Sequence, residues 1–115
     1  MEFRREVLKG TLDLLLLALL SEKESYGYEL ISRLEKQTRG FFEVKEGSAY
    51  PALHRLEKAE FLNAYWNTKE SPPRKYYRVT EMGLRRLNEL QREWWEYISA
   101  VEKIIGEEED CGKRN

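Results

Sequence analysis

With a single cysteine, Cys111, this chain of 115 residues can form no intrachain disulfide and no cysteine-based metal cluster. Histidine is equally scarce. His54 stands alone, no Gly-rich phosphate loop is present, and no nucleophile has an evident base, so the usual components of a catalytic centre are missing. The apolar run from Leu14 to Leu20 falls far short of the roughly 20 residues needed to cross a bilayer. Arg4-Arg5 before it imitates the basic start of a signal peptide, but Glu2 and Glu6 dilute that charge and Asp13 interrupts the approach. No small-residue cleavage site follows in Ser21-Glu22-Lys23-Glu24. These absences predict a soluble cytoplasmic protein with no membrane segment, no metal, no cofactor and no enzymatic activity.

Charge of one sign is also lacking, since 20 Lys/Arg against 21 Asp/Glu give a formal net charge of −1. Bulk charge therefore announces no nucleic-acid partner, and its distribution carries more. Residues 1–80 hold 14 Lys/Arg against 12 Asp/Glu, whereas residues 81–115 hold 6 against 9. The acidic excess collects in Glu107-Glu108-Glu109-Asp110, so residues 107–115 read as a solvated tail. The length suits one domain with a modest core, which a partner subunit would help to stabilise.

Thr11 is placed to cap a helix whose Leu12, Leu14, Leu15, Leu16, Leu17, Leu19 and Leu20 are apolar nearly all round. Such a helix must be covered on most sides. Ser25 is a second candidate cap, opening a helix through about Arg39 with Tyr26, Leu30, Ile31 and Leu34 on one face and Gly40 closing it. Gly27 inside that helix costs about 1 kcal/mol relative to Ala, which points to close approach of another helix. A third helix, about Gly47 to Glu60, carries Pro51 near its start and buries Ala49, Leu53 and Leu56. Leu62 to Asn67 alternates with period two, as does Tyr76 to Val79, and Thr68 to Pro73 between them reads as a hairpin turn. Thr80 caps a last helix from about Glu81 to Ile105. Its Leu87, Leu90, Trp94, Tyr97, Val101 and Ile104 recur every three or four residues, a short heptad seam suited to dimerisation.

The predicted fold class is mainly α with a small β hairpin: a winged helix-turn-helix domain over 1–80 and a C-terminal dimerisation helix over 81–106. The order of elements, with Ser25-Tyr26-Gly27-Tyr28, Gly47-Ser48-Ala49-Tyr50-Pro51-Ala52-Leu53 and Arg74-Lys75-Tyr76-Tyr77-Arg78-Val79-Thr80, resembles the PadR family of bacterial transcriptional regulators over about residues 8–105. The resemblance implies a winged-helix DNA-binding domain, a homodimer built through the N- and C-terminal helices, and repression relieved by small molecules. The chain departs from the family's usual pattern at Ala49, where a larger aliphatic is common, and at the wing tip Glu70-Ser71-Pro72-Pro73, where relatives often have a Gly-rich, more basic turn.

On the third helix Ser48, Pro51, His54, Arg55 and Lys58 fall opposite the apolar side, with Tyr50 at the boundary. A major groove admits one such helix, so Ser48 and Tyr50 are assigned to phosphates, His54 and Arg55 to base edges or phosphates, and Lys58 to the same surface. Arg74 and Lys75 at the wing, with Arg78 behind them, supply salt-sensitive backbone contacts. The competing reading is an ordinary solvated helix face and a charge-protected edge strand. Trp94 lies on the seam whereas Trp95 points about 100° away. By the resemblance, Trp94 or Trp95, with Ile98, Leu15 and Phe3, would line a cavity for a small aromatic or apolar effector; packing alone also accounts for both tryptophans. The expected partner is double-stranded DNA bearing an inverted-repeat operator. The alternative is a winged-helix protein-interaction module without specific DNA binding, which near-neutral charge would suit.

Overall fold

The computed structural model describes residues 2–106, so the expected acidic tail and Cys111 lie outside the described residues. Seven elements follow one another: α1 (Glu2–Glu22), β1 (Ser25–Tyr26), α2 (Gly27–Gln37), α3 (Glu46–Lys58), β2 (Leu62–Asn67), β3 (Arg74–Val79) and α4 (Glu81–Ile105). Helices α1, α2 and α3 and the β2–β3 hairpin make up the winged-helix domain, and α4 leaves it as a long arm. The extents, 52 × 28 × 24 Å, reflect that arm, whose 25 residues span about 37 Å at the α-helical rise.

The leucine-rich segment of α1 is the centre of the molecule. Leu12, Leu16, Leu17, Leu19 and Leu20 are buried, and α1 packs against α2, α3, β3 and α4 at once. This is the covering that an all-round apolar helix demands. Leu30 and Leu34 of α2, Ala49, Ala52, Leu53 and Leu56 of α3, Leu62, Tyr77 and Leu87 complete the core.

Thr11 does not start α1. The helix begins nine residues earlier at Glu2, and the Thr11 hydroxyl donates back to the Val7 carbonyl at 2.7 Å, a partner available only inside a helix. The two extra turns are mostly exposed and polar, which is why no apolar period marks them.

Ser25 is not a helix cap either. It is fully buried in β1, which pairs antiparallel with β3 through Ser25 opposite Tyr77 and Tyr26 opposite Tyr76. The sheet therefore has three strands in the order β1-β3-β2. The Ser25 hydroxyl accepts from Nη1 of Arg33 at 2.8 Å, and Nη2 of Arg33 donates to the Leu19 carbonyl, also at 2.8 Å. Arg33 thus joins α2 to the carbonyl end of α1, where a cation also complements the helix dipole. The α2 helix starts behind an extended Tyr26 with no side-chain cap and ends at Gln37, before Arg39 and Gly40 turn left-handed at φ 52° and 78°.

Pro51, Thr80 and Gly83 set the geometry of α3 and of its joint with α4. Pro51 is the sixth residue of α3 rather than a first-turn residue, so the Gly47 carbonyl lacks its intrahelical amide partner; both residues are exposed, leaving that carbonyl to solvent. The Thr80 cap is as expected: its hydroxyl oxygen accepts from the Gly83 amide at 2.9 Å while its O–H donates to the Glu60 carbonyl at 2.7 Å. A Cβ on Gly83 would overlap the Phe61 carbonyl oxygen, so α4 can approach the end of α3 this closely only through glycine.

Candidate nucleic-acid interface

Helix α3 presents a polar face to solvent because its apolar residues recur on one side only. Ala49, Ala52, Leu53 and Leu56 are buried, whereas Ser48, Pro51, His54, Arg55 and Lys58 are exposed. The exposed ridge stands between two recesses that divide the expected contact residues other than Lys58 into two groups.

On the wing side, a cleft of about 410 Å³ brings Tyr50, His54, Arg74 and Lys75 together with Tyr26, Gly27, Tyr28, Trp66 and Tyr77. Tyr50 is wedged against the start of α2, where a Cβ on Gly27 would lie 2.7 Å from the phenol oxygen. The close approach expected at Gly27 is therefore made by a single ring of α3. Partial burial, and after it the Glu46 carboxylate, raise the Tyr50 phenol above its ordinary value, so it stays a hydrogen-bond donor at neutral pH.

The wing cations are not idle. Nζ of Lys75 sits 3.3 Å from Glu57 of α3, and Arg74 lies 4.3 Å over the Tyr26 ring and 3.7 Å from Glu70. Such partly exposed pairs contribute little stability and exchange readily for phosphate partners. Arg78 lies over Tyr65 at 5.3 Å, on the sheet face where Tyr65 and Tyr76 stack at 5.6 Å and Tyr26 meets Tyr76 edge-on. This three-ring stack stiffens the hairpin from its outer side, and the Tyr76 hydroxyl adds a 3.0 Å bond to Glu70 near the wing tip.

On the α1 side of the ridge, Ser48 and Arg55 border a recess with Arg5, Lys9, Lys45 and Pro51. Nη2 of Arg55 donates to Asp13 of α1 at 2.6 Å, so this side chain is anchored rather than loose. Among the described residues, Lys58 and Lys45 form no ion pair and are exposed, leaving both ammonium groups available to an anionic partner.

Two residues of this surface were unassigned by sequence reasoning. Tyr28, 64% exposed, and Trp66, 62% exposed, both line the cleft between α3 and the wing. Large aromatics left in solvent beside His54 and Lys75 are the available signal, but period-two alternation alone does not separate a packed strand residue from a presented one.

Along α4 the expected seam changes character. Leu87 is buried within its own domain and Leu90 packs on the core, whereas Tyr97 and Ile104 are 61% and 85% exposed, with Trp94 and Val101 intermediate. Of the expected effector residues, Trp94 borders a groove of about 490 Å³ between α1 and α4, with Leu14, Leu90, Tyr97, Asp13 and Arg55. Trp95 and Phe3 are exposed and Ile98 and Leu15 half-buried; none of the four lines that groove. The described residues contain no cluster of three metal-ligating side chains and no helix long and apolar enough to cross a membrane.

Comparison with known proteins assigns this geometry to a family. The pattern of the Transcriptional regulator PadR-like family matches residues 16–89. An uncharacterized protein of Lysinibacillus sphaericus is 39% identical over 103 residues, covering 89% of this chain and 94% of that protein. Transcriptional regulator YqjI of Escherichia coli is 35% identical over 96 residues, but the 84% of this chain that aligns spans only 43% of its length. A transcriptional regulator structure from Clostridium thermocellum superposes with a TM-score of 0.82 at 32% identity, covering 87% of this chain and 98% of that one. The Escherichia coli and Clostridium thermocellum proteins are transcriptional regulators by name, and the second shares the winged-helix architecture derived above. The chain belongs to the PadR-like family of DNA-binding transcriptional regulators.

Proposed function

We propose that the chain is a homodimeric repressor that reads an inverted-repeat operator with α3 and the wing, and that a small aromatic or apolar effector releases it. The observation that carries the reading is the exposed ridge of α3, from Ser48 to Lys58, flanked on one side by Arg74 and Lys75 and on the other by Arg5, Lys9 and Lys45. A helix standing proud between two recesses suits a B-form major groove, with the wing and Tyr28 set beside it to meet the adjacent backbone. Ser48, Tyr50 and Lys58 then meet phosphates, His54 and Arg55 reach base edges or phosphates, and Trp66 lies against the sugar-phosphate strand.

The stripe of exposed Tyr97 and Ile104 with half-buried Val101 between them supports association through α4, because an unpaired arm leaves these apolar side chains facing water. Two copies would set their α3 helices in successive major grooves, with half-site centres about 10 base pairs apart or a multiple of that. An effector seated against Trp94 in the α1–α4 groove would act by binding one spacing of the two α3 helices better than the other. The reading as a protein-interaction module gains nothing specific from the geometry.

Hydroxyl-radical footprinting on a duplex selected by the protein from a random pool, with sedimentation velocity on the same complex, tests the proposal. Two protected patches one turn apart with a two-chain complex are expected. A single patch with one chain bound would refute the dimeric reading.

A further inference from the structure

The Asp13–Arg55 contact is a surface link between α1 and α3, two helices that already share the core. Asp13 interrupts the leucine-rich segment of α1, the element that otherwise forms the core, and Arg55 stands on the exposed ridge of α3, 42 residues later. Their side chains are 38% and 60% exposed, so the 2.6 Å bond lies at the surface, where an ion pair adds little to folding stability. Core packing already holds α3 against α1, with Ala52, Leu53 and Leu56 in the same buried cluster as Leu12, Leu16 and Leu17. The pair is therefore poorly explained as a staple. Its geometry is better explained by what it does to the guanidinium. Only Nη2 is engaged, while Nε and Nη1 have no protein partner among the described residues. An arginine held by one edge presents the remaining donors in a fixed direction, and the rotamer freedom it would otherwise lose on binding DNA is already spent.

We infer that Asp13 is a positioning residue for DNA recognition: its carboxylate holds Arg55 extended along the ridge so that the free edge of the guanidinium meets the operator. The inference rests on the proposed DNA reading by α3 and names a residue outside the helix-turn-helix surface that serves it. Loss of the carboxylate frees Arg55, and immobilising one such side chain anew on binding costs about three- to tenfold in affinity. Without Arg55, the same carboxylate is only a negative charge beside the phosphates, so its removal no longer weakens binding and is neutral or slightly favourable.

The test is a double-mutant cycle of Asp13→Asn and Arg55→Gln, with dissociation constants measured by anisotropy on a duplex selected by the parent protein from a random pool, and with thermal melts of all four chains. The expected result is a three- to tenfold loss for D13N, a larger loss for R55Q, and no further loss when D13N is added to R55Q, with melting temperatures nearly unchanged. Equal weakening by D13N in both backgrounds would assign Asp13 a structural role and overturn the inference. Tighter binding by D13N in the parent would also overturn it, making Asp13 a competitor for Arg55. R55Q binding as tightly as the parent would instead overturn the assignment of Arg55 to DNA, and the inference would fall with it; that outcome is distinct from the other two.

Discussion

Two glycine-to-alanine substitutions separate what holds the fold from what aims the proposed reading surface. A Cβ at Gly83 would overlap the Phe61 carbonyl oxygen and lie 2.6 Å from Cγ2 of Val79. The carbonyl is backbone and already accepts from the Thr80 amide at 3.0 Å, so it cannot move without disturbing the joint between α3 and α4. Overpacking of this kind costs about 1–3 kcal/mol. At about 2.1 cal/mol/K per residue, unfolding of a chain this size carries about 0.24 kcal/mol per degree, so Gly83→Ala should lower Tm by about 4–12 °C. A Cβ at Gly27 meets only the far end of the Tyr50 side chain, which can rotate aside. Gly27→Ala should therefore shift Tm by less than about 4 °C yet weaken operator binding about fivefold, roughly one lost hydrogen bond to phosphate. Calorimetry at one fixed protein concentration, which association requires, and anisotropy on the selected duplex read the two effects. Equal Tm losses for both variants, or unimpaired binding by Gly27→Ala, would refute the assignment of Tyr50 to the DNA face.

Lys58→Ala should weaken binding to all sequences alike and reduce the slope of log affinity against log salt by about one, as removal of a single phosphate contact does; an unchanged slope in a salt titration would place Lys58 off the DNA. Ile104→Glu puts a charge on the exposed α4 stripe and should shift the chain toward monomer in sedimentation velocity while leaving the far-ultraviolet spectrum intact; an unaltered sedimentation profile would remove α4 from the interface. Thr80→Ala deletes the α4 cap and should cost about 1 kcal/mol, or about 4 °C in Tm. A melt within 1 °C of the parent would show that the helix end is held by other contacts.

What was legible in the sequence had a local cause. The Thr80 cap and the α4 helix follow from a hydroxyl before a regular apolar spacing, and β2 and β3 from period-two alternation around a polar turn. The inner and outer faces of α3 follow in the same way. Errors arose where a hydroxyl had two possible partners. Thr11 and Ser25 each precede a periodic stretch, but one bonds a carbonyl four residues back and the other accepts from Arg33 while buried in a strand. The two-residue β1 has no pattern of its own and exists only because β3 pairs with it, Ser25 with Tyr77 and Tyr26 with Tyr76, far along the chain. The division of the proposed reading surface was equally hidden: Arg55 and Lys75 look alike in sequence as exposed cations, yet one is anchored to α1 and the other to Glu57 of its neighbouring helix. Distant pairing of this sort leaves no periodic trace.

The central claim, that the ridge of α3 and the wing together read DNA, is tested most directly by titrating the protein into a duplex from upstream of its own coding sequence and into a scrambled duplex of the same composition, at two salt concentrations. The account predicts tight binding to the first alone, weakening steeply as salt rises because Arg55, Lys58, Arg74 and Lys75 release counterions from phosphates. Equal, weak binding to both duplexes would contradict it.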